Sequence, residues 1–178
     1  MSKFFRSYGK TLQKYPIVVQ SIQVGFLMSA GDAIAQKCFE QRVNEKPFDY
    51  ERNRNFLLLG TFIIGPSSSV WFSVLDRYIK GRPAERAIKK VICDQFIFAP
   101  CFLAVFLMLL ETMKRRSITE ARKAVGVYYF DILKVNYAVW PFVQLCNFYL
   151  IPVNYQTLFV QCIALGWNIY ISYKSHAK

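Results

Sequence analysis

Two carboxylates stand inside otherwise uncharged runs of this chain: Asp32, within residues 17–36, and Asp94, within residues 91–110. An acid so placed either lines a water path and attracts cations, or sits neutral or paired and fixes helix packing. Both uses stay open for both residues. Lys90 lies four residues before Asp94, the helical spacing at which it could neutralise the acid. Around the acids come the amides Gln36, Gln95, Gln144, Asn147, Gln161 and Asn168, and the hydroxyl of Ser67. Such groups can bond one helix to another or form a wet lining between helices. Catalysis lacks its parts. The single histidine, His176, has no ligand cluster, the five cysteines form no CxxC pair, and no glycine-rich phosphate loop occurs. No catalytic residue, metal or cofactor is therefore expected, and the chain is not expected to be an enzyme.

Long apolar helices must position these groups. Of 178 residues, 54% are hydrophobic and only 19% charged, below the roughly 25% charge of a soluble domain. Residues 135–173 pass without one Asp, Glu, Lys or Arg. As helix, these 39 residues measure about 58 Å, enough for two crossings of a hydrocarbon core about 30 Å thick. Pro152 and Asn154 fall where the turn between them is needed. Residues 17–36, 55–75 and 91–110 carry the same signal. The expected fold is all-α: an integral membrane bundle of four to five transmembrane helices in one domain. Its spans lie near 17–36, 55–75, 91–110, 135–151 and 156–173.

Periodicity orients several of these spans. Ser21, Gly25, Ser29, Asp32 and Gln36 share one helical face, and Val18, Ile22 and Phe26 share the opposite one, which suits lipid. Trp140, Gln144, Asn147 and Ile151 form another stripe, and Gln161 and Asn168 share a face seven residues apart. Pro66, Pro100 and Pro141 fall well inside their spans as helix kinks, with Ser67, Ser68 and Ser69 able to bond back to the freed backbone. The prolines recur without the spans aligning as sequence repeats. Residues 111–134 are charged with an amphipathic middle, which predicts a separate helix along the membrane interface before the fourth span.

The net charge of +12 does not point to nucleic acid, because the 23 Lys and Arg lie between the spans, mixed with acids. No direct nucleic-acid binding is expected; the partner is the lipid bilayer, whose anionic headgroups meet the basic flanks. The first sixteen residues hold no acid. Phe4, Tyr8, Leu12 and Tyr15 share one face, and Lys3, Arg6, Lys10 and Lys14 gather on the other. This amphipathic interfacial segment is either a mitochondrial address or an ordinary juxtamembrane helix. Alternate hydrophilic segments carry ten and thirteen Lys plus Arg, so the positive-inside rule leaves orientation open.

The stretch "WPFVQLCNFYLIP" holds Trp140, Pro141, Gln144, Asn147, Phe148 and Pro152, and resembles the signature of the Mpv-seventeen family, which includes the twenty-two-kilodalton peroxisomal membrane protein. "GDAIAQ", "GPSSSVWFSVLDRYI", "DQFIFAPCF" and "VQCIALGWNIYISYKSH" match it as well, so the resemblance covers nearly the whole chain. The intact Trp140–Pro141 pair and the short basic start look like the mitochondrial branch. At Gln156 the chain departs from the family pattern, which often carries arginine there. The resemblance implies a small multi-helix protein of the mitochondrial inner membrane, with the peroxisomal membrane as the alternative. It also implies a weakly selective channel or passive transporter for small hydrophilic solutes or ions, a possible homo-oligomer. Such a protein would support membrane-potential homeostasis and mitochondrial DNA maintenance. A non-conducting membrane scaffold is the competing expectation.

Overall fold

A computed structural model describes residues 10–40, 47–114 and 117–176, and the side chains among them except 39–40 and 168–176; after a short helical stretch at residues 10–14, five long helices make up most of the described residues. The basic faces at Lys3 and Arg6, with Phe4 and Tyr8, and the Asn168 side chain therefore lie outside the described residues.

Helix α1, Pro16–Ala35, starts on a proline, whose fixed φ and missing N–H suit a first helical position. Its expected faces are observed: Ser21, Gly25, Asp32 and Gln36 are buried, whereas Val18, Ile22 and Phe26 are exposed. Helix α2, Tyr50–Tyr78, begins five residues before the expected span. Asp49 caps it, its carboxylate accepting from Arg52 N–H at 2.9 Å, so the charged residues 51–54 form its first turns rather than a loop. Helix α3, Pro83–Met113, follows a turn in which Gly81 takes a φ of 139°, a left-handed value that L side chains avoid.

Helix α4 runs unbroken over 33 residues, Ile118–Leu150, about 50 Å of helix. This corrects the expectation of a separate interfacial helix, for nothing interrupts the ladder between its charged start and its uncharged end. Ser117 and Glu120 close a capping box at its start: Glu120 N–H donates to Ser117 Oγ and Ser117 N–H to the Glu120 carboxylate, each at 3.2 Å. The expected turn falls at Ile151–Pro152, and helix α5, Val153–His176, completes the chain.

Pro66 and Pro100 do not break their helices. In α2 residues Gly60–Ile64, and in α3 residues Asp94–Phe98, the ladder widens by one residue, so that Gly65 N–H bonds Gly60 O and Ala99 N–H bonds Asp94 O. A proline clashes with the carbonyl four residues back. Inserting a π turn just before it absorbs the misfit and lets the helix continue. Pro141 sits inside α4, whose helix is continuous across it.

The helices cluster into two compact units. The first, Met1–Tyr78 with Ile151–Lys178, holds α1, α2 and α5; the second, Ile79–Leu150, holds α3 and α4. Among the described residues, α1 (as Pro16–Cys38), α2 and α3 are long and apolar enough to cross a membrane. The amides and the tryptophan that dilute α4 lie on its buried stripe, together with one of its tyrosines: Tyr128, Asn136, Trp140, Gln144 and Asn147 are all buried.

Candidate functional site: two intramembrane polar networks

In the first unit, small residues let α1 and α2 touch backbone to backbone. A Cβ placed on Gly60 would stand 2.7 Å from Gly25 Cα, and one on Gly65 would stand 2.5 Å from Ser21 Cα. Just beyond this crossing the same two helices share an ionic network. Asp32, with no exposed surface, accepts from Arg52 Nε at 2.7 Å, from Gln36 Nε2 at 2.8 Å and from Asn53 Nδ2 at 3.2 Å. Gln36 also grips the backbone of Asp49 in both directions, accepting its N–H at 2.6 Å and donating to its carbonyl at 3.0 Å. Ser29 Oγ donates to Asn53 Oδ1 at 2.8 Å, and Asn53 returns a bond to Ser29 O at 2.7 Å. The bonds from Arg52 and Asn53 to the carboxylate fix the end of α1 to the start of α2, and Gln36 adds its own hold on Asp49. Of the two uses open to Asp32, the geometry matches the packing one.

The same unit buries Gln161 on α5, at 5% exposure, together with Gln156 and Thr157. Gln20 of α1 donates to Asn154 O at 2.9 Å and so ties α1 to the first turn of α5. Ser67 is half-buried, whereas its neighbours Ser68 and Ser69 are buried.

The second unit carries a different network, at the crossing of α3 with α4. Asp94 Oδ2 accepts from Gln95 Nε2 at 2.7 Å and from Gln144 Nε2 at 3.0 Å, and Asn147 Nδ2 donates to Gln144 Oε1 at 2.9 Å. All four residues are at least 95% buried. Two of their amide oxygens, Gln95 Oε1 and Asn147 Oδ1, are buried without a hydrogen-bond partner. Lys90, one turn before Asp94, is buried as well, with its ammonium 5.7 Å from the centre of the Phe148 ring. The π turn begins at Asp94 itself, so the widened backbone and the polar cluster coincide. Further along the same helix pair, buried Glu111 accepts from Tyr128 Oη at 2.9 Å and from Lys114 at 2.7 Å.

The structure thus brings Asp94, Gln95, Gln144 and Asn147 together, and separately Asp32 with Gln36. Trp140 and Phe148 are buried on the α4 stripe, and Pro152 marks the turn into α5. Sequence reasoning missed Arg52, Asn53, Glu111 and Tyr128. The signal for Arg52 was available: Asp49 followed by Glu51 reads as a helix cap and acidic first turn, which moves the start of α2 back to include the arginine.

Apolar faces turned outward, buried polar networks and three helices of membrane-crossing length define an all-α integral membrane protein. The chain belongs to the Mpv17 / PMP22 family, whose model matches residues 111–172. It is 40% identical over 174 residues to the mitochondrial inner membrane protein Mpv17 of Homo sapiens, covering 97% of each chain. It is 39% identical to the Mus musculus protein of the same name, again over 97% of each. Protein SYM1 of Gibberella zeae is 38% identical over 97% of this chain and 98% of its own. The chain is accordingly a protein of the mitochondrial inner membrane. No solved structure matches it.

Proposed function

We propose that the protein is a passive, weakly selective conduit for small hydrophilic solutes across the mitochondrial inner membrane. The observation that supports this is the α3–α4 crossing, where a carboxylate and three amides are buried inside an apolar helix pair and two acceptor oxygens are left over. A purely structural network in lipid would be expected to satisfy its own polar atoms, since a buried group without a partner costs about 1–3 kcal/mol. Acceptors turned into such a site can replace part of the water shell of a passing solute. By letting ions and metabolites equilibrate, a conduit of this kind would hold the membrane potential in range and feed the metabolism on which mitochondrial DNA maintenance draws.

Purified protein in planar bilayers tests the reading. The wild type is expected to conduct with a mild preference for cations, and Asp94→Asn, which keeps the shape and removes the charge, should shift the reversal potential under a salt gradient toward zero. Wild-type membranes no more conductive than lipid alone would remove the conduit and leave a scaffold. An unchanged reversal potential in a conducting Asp94→Asn would take Asp94 out of the lining.

A further inference from the structure

Helices α2 and α3 share a local pattern around their prolines. Setting Pro66 on Pro100 aligns residues 51–75 with 85–109 at a constant offset of 34, and seven of the 25 pairs are identical: Glu51/Glu85, Arg52/Arg86, Phe62/Phe96, Ile63/Ile97, Pro66/Pro100, Phe72/Phe106 and Leu75/Leu109. The π turn and the proline that both helices carry set this register. In both helices the π turn covers five residues and ends two before the proline. In both, the arginine stands eight residues before the π turn begins, in the first turns of the helix.

The two arginines differ in burial and in partner. Arg52 is 92% buried, and its Nε meets the Asp32 carboxylate at 2.7 Å. The same atom of Arg86, Nε, is buried and meets no acceptor. Arg86 as a whole is half-buried, so part of its side chain reaches the surface. Its surroundings are positive: residues 79–93 hold Lys80, Arg82, Arg86, Lys89 and Lys90 against the single acid Glu85. Glu85 is already engaged by Lys89 one turn on. Arg82 lies one turn before Arg86, and the start of α3 adds the partial positive charge of a helix N-terminus.

We infer that Arg86 is an anion site, in which a phosphate or carboxylate group from outside the chain takes the place that the Asp32 carboxylate fills against Arg52. A guanidinium binds such groups through paired, charge-assisted N–H···O bonds, and a desolvated Nε–H without an acceptor is costly until one arrives. The ligand is either a free phosphorylated or carboxylated solute or the headgroup of an anionic lipid. The site stands apart from the Asp94 network and does not depend on conduction, so it is tested by binding.

The test is thermal unfolding of the whole protein in lipid nanodiscs. In phosphatidylcholine discs, inorganic phosphate at saturating concentration, against chloride of equal ionic strength, is expected to raise the midpoint by about 2–4 °C. Arg86→Gln should abolish the shift and Arg86→Lys, which keeps the charge but not the fork, should diminish it. Arg54→Gln, which removes an exposed arginine of α2, should retain the shift. A rise seen only on adding phosphatidylglycerol to the discs, and lost in Arg86→Gln, would assign the site to a lipid headgroup. No rise with either source, or an equal rise in Arg86→Gln, overturns the anion site.

Discussion

Gly65→Ala is expected to separate α1 from α2, although alanine is the better helix former. The added Cβ would lie 2.5 Å from Ser21 Cα and 3.0 Å from the carbonyl of Gly60. Both obstacles are close to the backbone, so no side-chain rotation relieves them; the helices themselves must move. Gly60→Ala meets Gly25 Cα at 2.7 Å in the same way. Overpacking of this kind costs about 1–3 kcal/mol when side chains can adjust, and more where two backbones must part. The shared ionic network, about two turns from Gly60 and about three to four from Gly65, would be strained with them. Gly126 and Gly166 provide the contrast, since a Cβ on either meets nothing within 4 Å. Alanine at those two positions should leave stability unchanged or raise it by about 0.5–1 kcal/mol. Thermal unfolding of the four variants in detergent reads the difference directly. A wild-type midpoint in Gly65→Ala would show that the crossing is looser than described.

The second large effect belongs to the buried ion pair. Arg52→Gln is expected to destabilise the protein by about 3–5 kcal/mol, because it leaves the Asp32 carboxylate charged, fully buried and without its cation. Asp32→Asn should cost a similar amount by stranding the guanidinium. On the sequence alone, an asparagine at position 32 looks benign, since it preserves shape and amide bonding. The Arg52 partner reverses that expectation. The double variant Asp32→Asn/Arg52→Gln removes both charges, and its loss should be clearly smaller than the sum of the two single losses. Simple additivity in denaturation midpoints would mean that the two residues act independently, and would sink the pairing.

What the sequence disclosed follows from the physics of each signal. Helical faces were legible because lipid and protein demand opposite surfaces at a fixed period, and the buried stripe of Ser21, Gly25, Asp32 and Gln36 answers to that demand. So does the stripe of Trp140, Gln144 and Asn147. The turn at Pro152 was legible because proline cannot extend a ladder. Partners were not. Arg52 is twenty residues from Asp32, on the next helix, and nothing in a hydropathy profile says which residues of two helices meet. Charge also misled at residues 111–134, where polar side chains were read as a boundary although the backbone ladder of α4 is indifferent to them. The two π turns were hidden for a related reason: a proline announces that a bond is missing, but not whether the helix ends or widens to accommodate it.

The discontinuity of the first unit has a consequence for biogenesis. Its three helices, α1, α2 and α5, are separated in sequence by the whole second unit, and Gln20 is tied to Asn154 across 134 residues. Until α5 docks, α1 and α2 therefore lack their third wall, and Gln20 lacks the carbonyl that it meets in the finished unit. A chain cut short anywhere before residue 151 stays in that state permanently. Docking of α5 is thus the step that closes the first unit.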